Sequence, residues 1–200
     1  MASSALKPLV SGFVNPIARA LLRIGATPDL ITVLGAISSI AASLYYIPRG
    51  SLFLGSLVVS LTALSDLFDG AMARLSERGP SKWGGFLDST LDRVTDMAIW
   101  IGLIIYLEKR GDSLTYIALA SLGCGMLIPY IRAKSESYGI ACTVGIAERT
   151  ERLILALSAI GFAGLGIDYV LAIGVWMSAI LALITVIQRI RVVHLGLREV

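Results

Sequence analysis

The chain has 200 residues, 56% of them hydrophobic and 16% charged, with a formal net charge of +3 and a mean hydropathy of +0.81. Soluble domains carry roughly 25% charged residues, so the composition excludes an ordinary water-soluble enzyme and points to an all-α integral membrane protein. Nothing in the charge balance suggests nucleic acid as a partner. Cys124 and Cys142, the only cysteines, lie in or near apolar stretches and make neither a disulfide framework nor a zinc site.

Residues 1–26 form the first expected unit. The first 28 residues contain no acid and carry Lys7, Arg19 and Arg23, as a transit peptide would. Phe13, Ile17, Leu21 and Ile24 recur at helical spacing, however, with Arg19 and Arg23 on another face, and no small-residue cleavage site precedes the first span. An amphipathic juxtamembrane helix lying on the bilayer accounts better for that pattern.

Residues 27–200 read as one six-helix transmembrane domain. Thr27-Pro28-Asp29 opens the first span with an N-cap, a proline at the first helical position and an acid at the positive end of the helix dipole. Spanning a bilayer takes about 20 apolar residues. Residues 30–48 and 113–131 are charge-free runs of 19 residues and 169–188 one of 20. Residues 50–65, 97–107 and 153–167 are apolar but run into charged residues at one end, so each must continue its helix through them. Pro48-Arg49-Gly50 and Arg110-Gly111-Asp112 are turns between spans, and a loop around Arg78-Gly79-Pro80 joins two Asp-bearing helices. Only Arg49, Lys109 and Arg110, of 17 basic residues, fall in loops opposite the termini. The positive-inside rule therefore puts the termini and the charged helix ends in the cytoplasm. Tyr45, Tyr46, Tyr106, Tyr116 and Tyr169 gather near the opposite ends, as an interfacial aromatic belt does.

The chemistry is concentrated between residues 66 and 96. Asp66 and Asp69 are spaced i, i+3 and share one helix face; Asp88 and Asp92, spaced i, i+4, share a face of the next helix, and Asp96 continues that strip. A short loop makes the two helices antiparallel neighbours with their acidic ends at one depth. Ionisable groups inside spans are costly and read as functional. Four converging carboxylates need compensation, which a hard divalent cation with oxygen ligands supplies; magnesium commonly completes its shell with water and substrate phosphate. No His or Cys cluster invites zinc, and His194 lies in the basic tail. Gly70 and Ala73 leave room beside the acids, and Arg74 adds a fixed positive charge suited to phosphate. A divalent-cation transporter is the rival outside enzymes, but transporter sites usually lie near the midplane rather than at helix ends.

Asp66, Asp69, Gly70, Ala73, Arg74, Gly84, Asp88 and Asp92 resemble the signature D-x2-D-G-x2-A-R-x8-G-x3-D-x3-D of the CDP-alcohol phosphatidyltransferase family. The chain departs from it by one residue, since nine rather than eight separate Arg74 from Gly84, which leaves the role of Gly84 beside Gly85 open. The resemblance implies a homodimer of six-span chains that uses CDP-diacylglycerol. It implies two magnesium ions, or manganese in their place, held by Asp66, Asp69, Asp88 and Asp92. It further implies that Asp92 acts as general base on the acceptor hydroxyl, that Gly70, Ala73 and Arg74 face the nucleotide, and that Asp29 and Thr32 flank the cytidine.

The acceptor is read from residues 132–152, RAKSESYGIACTVGIAERTER, and from the end of the last span. Arg132, Lys134, Arg149 and Arg152, with Arg189 and Arg191, gather at the cytoplasmic mouth and suggest a second anion, such as a phosphorylated acceptor. This region resembles that of the family's inositol-phosphate-using members from actinobacteria and archaea. The likeness implies Arg132, Lys134, Arg152 and Arg191 around the acceptor phosphate, with Arg191 taken over Arg189. The Gly-Lys-x-Lys-Thr stretch associated with glycerol-phosphate-using relatives is absent, which favours inositol phosphate over phosphatidylglycerol-phosphate synthesis. The expected location is the plasma membrane, with the site facing the cytoplasm.

Overall fold

A computed structural model describes the backbone of residues 2–76 and 79–198 and the side chains of 12–76 and 79–198. Lys7's side chain, and Glu77 and Arg78 of the loop between the Asp-bearing helices, lie outside the described residues. Eight α-helices are present among them: α1 (Ala2–Arg23), α2 (Pro28–Tyr46), α3 (Leu52–Ala63), α4 (Ser65–Leu75), α5 (Lys82–Glu108), α6 (Leu114–Glu136), α7 (Arg149–Gly164) and α8 (Asp168–Gly196). By packing, the chain forms two compact units, Met1–Ala42 with Val58–Asp96, and Ser43–Leu57 with Met97–Val200.

In the first unit, the Thr27 hydroxyl accepts the Leu30 N–H at 3.2 Å, capping α2 behind Pro28 as expected. The apolar run at residues 50–65 does not continue straight into the acids. Leu64 N–H bonds to Leu61 O at 3.2 Å and Leu67 N–H to Leu64 O at 3.0 Å, i to i−3 contacts that tighten the chain. A new helix, α4, therefore starts at Ser65 and carries Asp66 in its first turn, where the positive end of the helix dipole favours a carboxylate. Val14 and Ala18 of α1 pack on Ala71 and Met72 of α4, with Leu21, Leu22, Phe68 and Leu75 around them. The other face of α1 stays open: Phe13 is 77% and Ile17 48% exposed, and Arg19 and Arg23 are also exposed.

A stripe of small and polar residues brings α2 against α3 and α4. A Cβ on Gly35 would collide with the Ser65 hydroxyl oxygen, so only glycine admits this approach without displacement. The Ser39 and Thr62 hydroxyls share a hydrogen bond of 2.5 Å one turn further on. Small residues and interhelical hydroxyl bonds are the usual means of association where apolar burial offers no advantage over lipid.

In the second unit, α8 packs against both α6 and α7. Ile128 of α6 meets Ala182 and Val186 of α8, with Cys124 and Ile131 beside them, and the Ser121 hydroxyl donates to Val175 O at 3.4 Å. The turn at Pro48-Arg49-Gly50 is a short 3-10 segment ended by Gly50 at φ 82°, as turn chemistry predicts. Arg49 lies over the Tyr45 ring at 4.0 Å and Arg110 over Tyr106 at 5.3 Å. Glu148 and Glu151 form a reciprocal capping box at the start of α7.

Among the described residues, four segments are long and apolar enough to cross a bilayer, Pro28–Arg49, Leu52–Leu75, Leu114–Glu136 and Asp168–Gly196. This makes a multi-pass membrane protein, with four such spans against the six expected. The difference has two causes. The first half of α5 carries Lys82, Asp88, Asp92, Arg93 and Asp96, which lower its hydropathy. Helix α7 has 16 residues and so reaches about 24 Å, short of a hydrocarbon core about 30 Å thick.

Candidate metal centre

Carboxylate oxygens of Asp66, Asp69 and Asp88 all lie within 4.8 Å of one another. Helix α4 supplies the first two from one face, because three residues advance the helix by most of a turn. Helix α5 supplies Asp88 from its second turn, after a start capped by Ser81, whose hydroxyl accepts the Gly84 N–H at 2.8 Å. Asp66 is exposed, Asp69 buried and Asp88 half-buried, so the cluster runs from an open side to a closed one. Asp92, expected as a fourth member, is outside this triangle and pairs with Arg93 at 3.6 Å.

At this separation two carboxylates repel by roughly 3–4 kcal/mol at an effective dielectric near 20. Three such pairs would exceed what a small domain can absorb, so the arrangement calls for positive charge between them. The donor set fits a divalent hard cation, since it is all oxygen, from two helices, with room left for water and phosphate ligands.

The buried member is oriented from outside the signature. The Thr32 hydroxyl of α2 donates to Asp69 Oδ2 at 2.5 Å and also lies 3.1 Å from Pro28 O. Thr32, expected beside the cytidine, thus bonds into the acid cluster. Sequence reasoning missed this link, although Thr32, Gly35 and Ser39 form a readable stripe at helical spacing in an otherwise apolar span. Asp29 lies beside Gly84, where an added Cβ would sit 3.2 Å from Asp29 Oδ1 and 3.1 Å from the Ser81 hydroxyl; an added Cβ on Gly85 would meet nothing within 4 Å. Of the two glycines, Gly84 is the one where an added Cβ would crowd its neighbours. Gly70 is half-buried and Arg74 exposed, with Arg74 Nη1 3.5 Å from a Cβ built on Gly70; Ala73 is half-buried.

The predicted acceptor residues belong to the second unit and are less uniform. Arg191 is exposed and lines a hollow of about 430 Å³ with Thr143, Val144, Gly145, Ile146, Gln188 and Val192. Arg132, Lys134 and Arg152 are not among its lining residues. Arg132 pairs with Glu136 at 2.9 Å with both side chains half in solvent, Lys134 lies over the Tyr138 ring at 4.7 Å, and Arg152 Nη1 donates to Ala147 O at 3.0 Å.

A family model described as CDP-alcohol phosphatidyltransferase matches residues 26–188. The phosphatidylinositol phosphate synthase of Streptomyces avermitilis is 43% identical over 186 residues, covering 88% of this chain and 76% of the relative. The crystal structure of the Mycobacterium tuberculosis phosphatidylinositol phosphate synthase with CDP-DAG bound is 38% identical with a TM-score of 0.86, covering 90% of this chain and 93% of that one. The same Mycobacterium tuberculosis protein in complex with manganese and citrate gives a TM-score of 0.85 at 38% identity, covering 90% and 88%. With three of the four signature acids gathered into one cluster and the match running over most of its length, this chain belongs to the CDP-alcohol phosphatidyltransferase family.

Proposed function

We propose that the protein is a phosphatidylinositol phosphate synthase, converting CDP-diacylglycerol and inositol phosphate to phosphatidylinositol phosphate and CMP. The observation that carries this reading is the carboxylate triangle of Asp66, Asp69 and Asp88 on a fold that matches a phosphatidylinositol phosphate synthase with CDP-DAG bound. The manganese complex of the same relative supports a divalent cation at the acids; here the cofactor would be two magnesium ions, which Asp66, Asp69, Asp88 and Asp92 would hold.

When bound, the cations supply Lewis-acid stabilisation of the phosphate charge. The chain's own residues do the rest. Asp92 accepts the proton of the acceptor hydroxyl as that oxygen attacks the phosphatidyl phosphorus. The new P–O bond forms as the bond to the CMP oxygen breaks, and CMP departs with the electron pair. Gly70, Ala73 and Arg74 face the nucleotide, whose phosphates Arg74 meets with a guanidinium that stays charged. Asp29 and Thr32 lie at the cytidine end of the site, Thr32 acting through Asp69.

On the acceptor side, Arg191 offers donors to the phosphate within its hollow, and Arg132, Lys134 and Arg152 turn toward it on binding. The Arg132–Glu136 pair costs little to open, since exposed ion pairs contribute about 0–1 kcal/mol. The chain is a homodimer of six-span subunits in the plasma membrane with the site facing the cytoplasm. Residues 1–26 form an interfacial helix ahead of the domain at 27–200. The one-sided distribution of basic residues supports the orientation, and the open apolar face of α1 supports contact with lipid.

The test is CMP release from CDP-diacylglycerol by purified protein with magnesium, run in parallel with inositol phosphate, glycerol phosphate and free inositol. Release with inositol phosphate alone is expected. Release with glycerol phosphate alone overturns the acceptor assignment and leaves the acid cluster standing.

A further inference from the structure

Helix α1 meets the first span through a defined corner. Gly25 N–H bonds to Leu22 O at 3.1 Å and Ala26 N–H to Leu21 O at 3.0 Å. These are the paired bonds of a Schellman cap, with Gly25 at φ 83° in the left-handed region. The Thr27 hydroxyl then caps α2. The corner leaves little slack between the two helices, and α1 is held at the end where the first span leaves the bilayer.

Around its axis, α1 presents three unlike faces. Val14 and Ala18 are buried on Ala71 and Met72 of α4. Ile17 and Arg19 diverge from Ala18 by about 100° on either side. The Ile17 flank also carries Phe13, and the Arg19 flank also carries Arg23; all four side chains are exposed. Residues 1–28 contain no acid, and among the described residues neither arginine forms a salt bridge. The buried face touches the site closely in sequence, since Ala71 and Met72 lie between Asp69 and Arg74. Helix α4 starts afresh at Ser65, so the span before it does not brace it rigidly. Its seat depends on α1 and on the α2 contacts at Thr32 and Gly35.

We infer that an anionic lipid surface is the ligand of α1 and activates the enzyme through α4. Phe13 and Ile17 enter the acyl region, Arg19 and Arg23 meet lipid phosphates, and the docked helix steadies the segment that carries Asp66, Asp69 and Arg74. Apolar burial and attraction to anionic lipid add in such helices, and the acid-free sequence of α1 matches that charge. The activation rests on the proposed synthase reading; the docking does not.

The experiment reconstitutes the full chain, with magnesium and CDP-diacylglycerol held constant, into vesicles of phosphatidylcholine alone or in equal parts with phosphatidylglycerol or phosphatidylserine. CMP release is expected to rise in both anionic mixtures, by up to about 25-fold if each arginine near the surface gains about fivefold. The double variant Arg19→Gln/Arg23→Gln should match the parent in phosphatidylcholine and lose the rise, and Arg19→Lys/Arg23→Lys should keep it. Independently of turnover, Phe13→Trp should add a fluorescence signal that lipids with brominated acyl chains quench, more strongly when anionic lipid is present. Equal rates in all vesicles, or a rise that persists in the glutamine variant, overturn the activation. A rise with only one of the two anionic headgroups overturns recognition by charge. An added signal that no vesicle quenches leaves the open face to a protein partner and overturns the docking. Absence of CMP release with every acceptor in every vesicle removes the synthase reading instead, and the quenching alone then decides whether α1 docks.

Discussion

Replacing Thr32 with valine removes one hydroxyl and almost no volume, which isolates its bond to Asp69. That bond, at 2.5 Å, ends on a buried carboxylate of the cluster. The single hydroxyl proton has a charged acceptor in Asp69 and a neutral one in Pro28 O, and charge-assisted bonds are the stronger kind. A hydrogen bond to a charged group contributes about 1.5–3 kcal/mol, and loss of a partner that orients a metal ligand typically weakens metal affinity by about 10- to 100-fold. Thr32→Val is therefore expected to raise the half-saturating magnesium concentration for CMP release by roughly that factor, with Thr32→Ser close to the parent. Direct titration of Mn²⁺ by electron paramagnetic resonance should show the same weakening without any substrate. If Mn²⁺ binding is unchanged and only the CDP-diacylglycerol KM rises, Thr32 serves the nucleotide and the orienting argument is wrong.

Three further expectations address other parts of the site. Asp92→Asn should lower kcat by about 10²- to 10⁴-fold, the usual range for a lost general base, in a protein that still elutes as a folded species; near-parent turnover refutes the base assignment. Arg152→Ala should raise the KM for inositol phosphate well above its effect on CDP-diacylglycerol, and equal effects would argue against a part in acceptor binding. Gly85→Ala, at an exposed helical position open to a Cβ, should stabilise the protein by up to about 1 kcal/mol, read as a raised Tm with activity retained. Gly84→Ala should raise the CDP-diacylglycerol KM, because its Cβ crowds Asp29; indistinguishable kinetics for the two glycine variants would show that this crowding is harmless.

Much of the site is legible in the order of the residues. The i, i+3 spacing of Asp66 and Asp69 places both on one face in any helix, and a short loop to the next helix brings Asp88 back beside them. The cap at Thr27, the glycine turn at Gly50 and the apolar spans follow from local rules of the same kind. The break at Leu64 is not legible in this way. No proline or glycine marks it, and a single helix continuing through the acids is the simpler reading of an apolar run.

What the sequence by itself determined was class and chemistry: a membrane protein, because so few charges cannot dress a soluble surface, and a cation site, because paired acids at helical spacing in a span demand one. The tertiary structure decided partners. Residues two apart on a helix point about 200° away from each other, so one of Arg189 and Arg191 must turn inward, but nothing in α8 alone says which. Arg189 does, donating to the carbonyls of Ile128 and Val144. Likewise Thr32 meets Asp69, 37 positions away, only because Gly35 lets α2 approach α4 closely. Such contacts depend on which helix faces meet, and local spacing carries no information about a neighbour distant in the chain.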